Sequence, residues 1–167
     1  FPSGNGSNWV TSWSPDGSKI LFDSGQGGAG TEIYIMDSDG SNQMNITNVN
    51  ANDATSGTFS PDGTKIAFAV PAEQHQTQYT EIYVMDADGT DWTRLTNYEV
   101  VNHKESSAYA PVWSPDGQYI AYTVSVYNGS QYVGPEIFIM KSNGDNQTRI
   151  TNNTHYDYRP SWAPAGQ

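Results

Sequence analysis

The side chains best suited to acid–base or metal chemistry in this chain are three histidines, His75, His103 and His155. Histidine changes charge near neutral pH without help and is the commonest metal ligand. Three such ligands would hold a zinc ion if the fold brought them together. Their placement favours a plainer reading. His103 and His155 fall in connections of different length, and His75 falls in a connection of another class. Exposed loop histidines are therefore expected, with a metal centre as the alternative. Glu105 and Asp157 neighbour two of them as potential acid–base partners, but nothing in the sequence sets their separation. Asp37-Ser38-Asp39-Gly40 has the residue types of a calcium loop. Such a loop needs glycine sixth and glutamate twelfth, whereas here glycine comes fourth, so a hairpin turn accounts for these residues. The glycine-rich run from Gly25 to Gly30 opens no helix and has no lysine placed to reach a phosphate. Acyl transfer lacks both a Gly-x-Ser-x-Gly elbow and a cysteine. The expectation is a chain without a cofactor, calcium or another divalent metal being the remaining option.

These residues hang on a repeat. Ser-Pro-Asp-Gly occurs at Ser14–Gly17, Ser60–Gly63 and Ser114–Gly117, with a worn copy at Ala163-Pro164-Ala165-Gly166. Proline presets the first central residue of a type I turn, aspartate bonds the local backbone, and glycine takes the left-handed conformation that follows. An aromatic residue precedes each copy (Trp13, Phe59, Trp113, Trp162), and the first three are followed by Ile20-Leu21, Ile66-Ala67 and Ile120-Ala121. Each turn thus joins two strands. Two further signatures keep step with the turn over a period of about 50 residues. One is Glu32–Asp37, Glu81–Asp86 and Glu136–Lys141; the other is Ile46-Thr47-Asn48, Leu95-Thr96-Asn97 and Ile150-Thr151-Asn152. The chain reads as three full repeats plus the first strand of a fourth.

In the first repeat the four strands are expected to end at Trp13 and to run over 19–23, 32–37 and 43–47. No apolar stripe of helical period survives the turn residues. Ile33-Tyr34-Ile35-Met36 and Ile82-Tyr83-Val84-Met85 are apolar without alternation, which means that both faces of the sheet are covered. Small four-stranded sheets stacked face to face, as in a β-propeller, meet that demand; a β-sandwich fits the period poorly. The expected layout is a tail over 1–8, blades over about 9–47, 55–96 and 109–151, and a partial fourth over 157–167.

Connection lengths separate two faces. The Ser-Pro-Asp-Gly turns and the turns at Asp37–Gly40, Asp86–Gly89 and Lys141–Gly144 are tight and share one face. The other connections (Ser24–Thr31, Pro71–Thr80 and Ser125–Pro135; Asn48–Thr58, Tyr98–Pro111 and Asn153–Pro160) are long and unlike one another. Binding residues gather on loops held by a rigid scaffold. The long-loop face carries all three histidines with Tyr79, Tyr98, Tyr109, Tyr127, Tyr132, Tyr156, Tyr158 and Arg159. Tyrosine amid Asn, Ser and Gly is the composition of adaptable recognition surfaces; packing over the blade ends is the other explanation. The candidate ligand- or partner-binding residues are His75, Tyr79, His103, Tyr109, His155, Tyr156, Tyr158 and Arg159.

A net charge of −11, with only 15% of residues charged, speaks against nucleic acid and against anionic lipid. No apolar run is long enough to insert in a membrane as a helix. The chain opens on Phe1-Pro2 rather than methionine, as expected of a processed chain or a piece of a longer one. Three blades do not close a ring, because propellers run from about four blades to eight. The expected partner is a second copy, giving a six-bladed homodimer, or the missing blades of a parent chain.

Trp113-Ser114-Pro115-Asp116-Gly117, Ile120-Ala121-Tyr122, Glu136-Ile137-Phe138-Ile139-Met140 and Arg149-Ile150-Thr151-Asn152, with Asp157 and Pro160 leading in to Trp162, resemble the WD40-like PD40 repeat of TolB-type propellers. The resemblance covers about residues 9 to 166. It implies a six-bladed propeller in the bacterial periplasm or envelope, but no single function. Such repeats occur in a periplasmic protein-docking module, in propellers attached to peptidases and in oligogalacturonate-lyase-like enzymes. The lyases use histidines and a metal, although their motif cannot be placed here residue by residue. TolB itself has an additional N-terminal domain and six repeats, and this chain departs from it in both. The expected function is a non-enzymatic binding or interaction module, periplasmic or extracellular, that presents its long-loop face to a protein or glycan. The alternatives are a polysaccharide lyase or hydrolase acting at the central pocket, and a structural or artificial propeller fragment that self-assembles.

Overall fold

The structure is a computed structural model describing residues 7–26, 30–48, 53–71, 79–98, 106–128, 131–153 and 155–164. Among these residues it is all-β. The strands are β1 (Asn8–Trp13), β2 (Lys19–Ser24), β3 (Glu32–Asp37), β4 (Met44–Asn45), β5 (Thr55–Phe59), β6 (Lys65–Pro71), β7 (Thr80–Asp86), β8 (Thr93–Arg94), β9 (Ala108–Trp113), β10 (Tyr119–Asn128), β11 (Gln131–Lys141) and β12 (Thr148–Arg149). They form three antiparallel four-stranded sheets in the orders β1-β2-β3-β4, β5-β6-β7-β8 and β9-β10-β11-β12. The register repeats: Leu21 faces Ile35, Ala67 faces Val84 and Ala121 faces Ile139.

The turn between the first two strands behaves as its residues dictate. In the first sheet Gly17 N–H donates to the Ser14 carbonyl at 2.9 Å, and Gly17 sits at φ 71°. The Ser14 hydroxyl donates to Asp16 Oδ1 at 2.6 Å and accepts Lys19 N–H at 2.8 Å. That hydroxyl, then Ser18, holds the Asp16 carboxyl down at about 2. Ser60-Asp62 and Ser114-Asp116 repeat the arrangement.

Stacking the sheets creates the core. Leu21, Ile33 and Ile46 of the first sheet pack with Phe59, Ile66, Phe68 and Met85 of the second. On the other side of the second sheet, Ala67, Ala69, Ile82 and Val84 meet Ile120, Tyr122, Val124 and Met140 of the third. Alternate residues of β6 therefore serve different neighbours. Ile66, Phe68 and Val70 point one way, while the small Ala67 and Ala69 leave room for Tyr122 on the other. The turns stack in the same order. The position a Cβ would take at Gly63 lies 3.4 Å from Pro15, and at Gly89 it would lie 2.6 Å from the Ile46 carbonyl oxygen.

The outermost strands are shorter than the expected 43–47 and its copies. After two residues a threonine side chain takes over the pairing. The hydroxyls of Thr47, Thr96 and Thr151 accept the N–H groups of Ile33, Ile82 and Ile137 at 3.0, 2.8 and 2.9 Å. Each hydroxyl in turn donates to a buried carboxylate, Glu32, Glu81 or Glu136. Arg94 and Arg149 complete the group in the second and third sheets, at 2.9 and 2.6 Å from Glu81 and Glu136. The repeated glutamate is thus the fastener of each sheet.

Two further differences concern the third sheet. The stretch 125–135, expected as a long loop, is mostly ribbon. β10 runs to Asn128 and β11 begins at Gln131, because Val126-Tyr127 and Tyr132-Val133 suit a pleated surface. Residues 157–164 form no strand. They lie along the third sheet, where Asp157 N–H donates to the Pro135 carbonyl and the Trp162 indole donates to the Val112 carbonyl at 3.1 Å. In the complete sheets the first strand is zipped to the strand after its turn, and no such partner for this segment is among the described residues. At the other end β1 starts at Asn8, one residue inside the expected tail.

Glu81 is 3% exposed, whereas the Lys65–Asp86 pair lies at the surface. Removing one member of a buried ion pair leaves the other charge uncompensated, whereas exposed pairs contribute little. Glu81→Ala is expected to lower the unfolding free energy by about 3 kcal/mol, and Asp86→Asn to leave the urea midpoint nearly unchanged. Equal urea midpoints for the two variants would overturn the assignment of Glu81 as the fastener.

Candidate functional site: an axial cleft and a tyrosine ladder

The innermost strands are irregular at one repeated place. Register shifts fall between Val10 and Ser12, between Thr55 and Thr58, and opposite Ala121–Thr123. Ser56, Ala110 and Arg159 sit three residues before the aromatic of their turn and have φ of 61°, 51° and 56°. These left-handed residues cost free energy and persist only where the surroundings hold them. Bulges of this kind re-aim the groups around them. Here the second strand of the preceding sheet receives the displaced amides. Asp23 Oδ2 accepts Ser56 N–H at 2.9 Å, and the carboxylate also accepts Gly57 N–H. At the matching place in the third sheet the Thr123 hydroxyl accepts Arg159 N–H at 3.2 Å. The middle equivalent, Ala69, has no acceptor in its side chain.

The bulges leave a cleft of about 600 Å³ between the inner strands, lined by Trp9, Thr11, Asp23, Gly57, Pro111 and Arg159 among others. Asp23 is 8% exposed, and burial pushes its carboxyl up to about 6 against the opposing pull of the two amides. Among the described residues its Oδ1 has no hydrogen-bond partner, nor does the buried Thr11 hydroxyl. Arg159, expected on the long-loop face as a binding residue, is among the residues that line this cleft.

The second feature stands on the extended β10–β11 ribbon. The Tyr127 and Tyr132 rings lie 5.2 Å apart and the Tyr132 and Tyr156 rings 6.1 Å apart, centre to centre. Tyr132 is 44% exposed and Tyr156 60%. Tyr156 rests on Gly134, where a Cβ would fall 2.4 Å from its ring, and the φ of 139° at Gly134 also demands glycine. Tyr109 belongs to β9 rather than to a loop and bonds Ser125 beneath this ladder; burial raises its hydroxyl pKa. Of the candidate residues, the structure therefore brings Tyr109 and Tyr156 into one neighbourhood. Tyr158 is exposed, and His155 is exposed with its backbone N–H on Asn153 Oδ1. Tyr79 is half-buried. His75, His103 and Glu105 lie outside the described residues. Tyr98, counted with the loop-face tyrosines, packs inward. Its hydroxyl meets that of Tyr122 at 3.1 Å, and burial pushes its pKa up to about 12. Among the described residues no three His, Cys, Asp or Glu side chains gather as a metal site would require.

The sequence points to Tyr127, Tyr132 and Tyr156 as residues of one face but not to their arrangement as a ladder, and it does not point to Asp23. Asp23 was detectable as a charge in an apolar strand where the other repeats carry Ala69 and Thr123. The ladder depends on the ribbon, which the spacing of repeats concealed.

The raised pKa of Asp23 has a stability consequence of definite sign. Between about pH 4 and pH 6 the folded state binds the proton more tightly than the unfolded chain, so folding loses stability as pH rises through that window. Two pKa units correspond to about 3 kcal/mol. The stability difference between wild type and Asp23→Asn, followed by urea unfolding, is expected to change by about that amount between pH 4 and pH 7. A flat difference would show that the carboxyl titrates normally.

The sequence matches the TolB beta propeller domain family over residues 2–107. Among solved structures, a protein assigned as TolB from Agrobacterium tumefaciens superposes with a TM-score of 0.70 at 21% identity, over 87% of this chain and 49% of that one. TolB from Acinetobacter baumannii superposes at 0.65 with 25% identity, over 90% and 33%. An oligogalacturonate lyase in complex with manganese superposes at 0.63 with 12% identity, over 87% and 41%. The chain spans half or less of the length of these proteins. The matched repeat, the three stacked four-stranded sheets and the shared superposition lead to one statement: this chain belongs to the TolB beta propeller domain family.

Proposed function

We propose that the chain is a non-enzymatic binding module of the bacterial envelope, periplasmic or extracellular, whose long-loop face takes up a glycan or a protein. The observation that carries this reading is the ladder of Tyr127, Tyr132 and Tyr156, its last two rings exposed and its end braced on Gly134. Rigid aromatic rings presented in series offer contact area at little entropic cost. They suit the apolar faces of sugar rings as well as protein side chains. Tyr109 lies near Tyr132, His155 and Tyr158 flank Tyr156 in the sequence, and His75, His103 and Tyr79 belong by sequence to the same loop set. The likeness to TolB proteins supports a binding role. The likeness to the lyase, at 12% identity, bears on fold alone.

The same reading gives the chain a structural partner. Phe59, the aromatic before the second turn, is 8% exposed because it enters the core of the preceding blade; Trp13, its equivalent in the first blade, is 55% exposed. A further set of blades, from a second copy or from a longer polypeptide, would cover it.

A screen of neutral oligosaccharides on an array and of displayed peptides identifies the ligand. Tyr132→Ala, Tyr156→Ala and Gly134→Ala are each expected to weaken it about tenfold, the effect of losing roughly 1.4 kcal/mol of contact. Gly134→Ala acts by displacing Tyr156 while keeping it. Folded variants that bind as well as wild type would eliminate the ladder as the site. Light scattering on the chain is expected to give twice its mass if a second copy completes the ring, and its single mass if longer-chain blades are required.

A further inference from the structure

The second and third blades each touch the blade before them through both tight turns. A Cβ at Gly63 would lie 3.4 Å from Pro15, and one at Gly117 would lie 3.7 Å from Pro61. At Gly89 and Gly144 it would lie 2.6 and 3.0 Å from the carbonyl oxygens of Ile46 and Leu95. The matching positions in the first blade, Gly17 and Gly40, have nothing within 4 Å. Side chains follow the same division. Gln147 donates to the Leu95 carbonyl at 2.9 Å as well as to Gly144 of its own turn. Its counterpart Gln43 donates, among the described residues, to Gly40 of its own turn. Leu95 and Trp113 pack into the core between the second and third blades, while their counterparts Ile150 and Trp13 are 58% and 55% exposed. Among the described residues the first blade thus has no predecessor and the third no successor.

We propose that the first blade of one copy stacks on the third blade of a second, so that two chains close one ring, and that residues 157–164 hold that slot in the single chain. The inference rests on the reading that further blades cover Trp13 and narrows it to a second copy; it does not depend on the ladder. Residue types select this junction. The first junction sets Leu21 against Phe59, with Trp92 at the glutamine position. The second sets the smaller Ala67 against a blade that brings Trp113 and Gln147. The third blade offers Ala121 in the place of Ala67 and Ile150 in the place of Leu95, and the first blade brings Trp13 and Gln43. These two faces are therefore the pair that already meets at the second junction. Stacked in that way, Pro115 falls to Gly17, and the Ile150 carbonyl falls to Gly40 and Gln43. A hollow of about 280 Å³ beside Phe22 and Met36 marks space left on that side of the first blade. Two copies supply six blades, inside the range of about four to eight, and three copies would supply nine, outside it. A head-to-tail contact that closes at two leaves no free face.

The slot is not empty in the single chain. Asp157 N–H on the Pro135 carbonyl repeats Ala54 N–H on the Thr31 carbonyl, and Arg159 N–H on Thr123 repeats Ser56 N–H on Asp23. Residues 157–164 thus lie where the inner strand of a following blade lies. β1 of the second copy displaces them because it is laddered to β2 and closed by the Ser14 turn, whereas 157–164 have no ladder partner among the described residues.

The chain has no cysteine, so an introduced thiol is unique. Gln43→Cys and Ile150→Cys chains, mixed and treated with a short bismaleimide, are expected to yield a linked pair, and neither variant alone to yield one. Light scattering on the wild-type chain is expected to reach a mass of two copies. Ile150→Glu, a change at an exposed residue, is expected to stay a folded monomer; Trp13→Glu, on the opposite face, gives the same answer if Ile150→Glu does not fold. The Trp162 indole ties the segment in the slot to the Val112 carbonyl, so Trp162→Ala is expected to tighten the dimer several-fold. Linked pairs from either cysteine variant alone, a mass above two copies, folded glutamate variants that still pair, or a dimer unchanged or weakened by Trp162→Ala would each overturn the proposal. Wild type and Trp162→Ala both folded and monomeric at every concentration would overturn it as well. That last result would leave the blades of a longer polypeptide as the cover of Trp13, and the ladder is scored separately by its own ligand screen.

Discussion

A sheet that is apolar on both faces cannot stand alone in water, and the rest of this molecule follows from that constraint. Each third strand is apolar on both sides, so each blade must be covered twice. Burying that surface is worth about 25 cal/mol per Å², the dominant favourable contribution to a stack of small sheets. The requirement explains the division of labour in β6, whose large residues face one neighbour and whose alanines accommodate the other. It also explains why the tight turns are nearly identical. Gly63 lies against Pro15 and Gly89 against the backbone of Ile46, so an altered turn would push neighbouring blades apart.

The outermost strand is two residues long in each blade. The Glu–Thr pair compensates by continuing the ladder with side chains. Its carboxylate is buried, and in the second blade it also accepts Tyr98 N–H at 2.8 Å. The pair therefore ties the end of one blade to the start of the connection that leads to the next. In the first blade Asn45 stands where Arg94 and Arg149 stand later, and its side chain takes the N–H groups of Thr47 and Asn48. The fastener thus survives with a neutral residue at the arginine position.

What could be read from the sequence was whatever repeats. Pro15, Asp16 and Gly17 announce a turn because each has a local conformational reason to be there, and unalternated Ile33–Met36 announces a covered strand. Those two facts imply stacked hairpins before any contact is known. The features that do not repeat were harder to read. The bulges depend on backbone conformations at Ser56, Ala110 and Arg159, three residues with nothing in common as side chains. The β10–β11 ribbon was hidden because a strand continuing past its expected end has the same composition as a tyrosine-rich loop. Arg159 reads as an outer-loop residue because nothing in its type signals that its backbone reaches Thr123 of the preceding blade. Tyr98 reads as one of the loop-face tyrosines because its partner, the Tyr122 hydroxyl, lies in the following repeat and no mark in the sequence pairs the two.

The bulge on each inner strand has an architectural consequence. It sets a displaced backbone amide against the second strand of the preceding blade, at positions 23, 69 and 123, where Asp23 and Thr123 accept it and Ala69 offers no side-chain acceptor. Here those three are acidic, methyl and hydroxyl. The anchoring of the bulge therefore differs from blade to blade, and at Ala69 the position also belongs to the stacking surface. A lineage built from such repeats can thus change how each bulge is held, by a carboxylate, by a hydroxyl or by no side chain at all, while its turns stay the same.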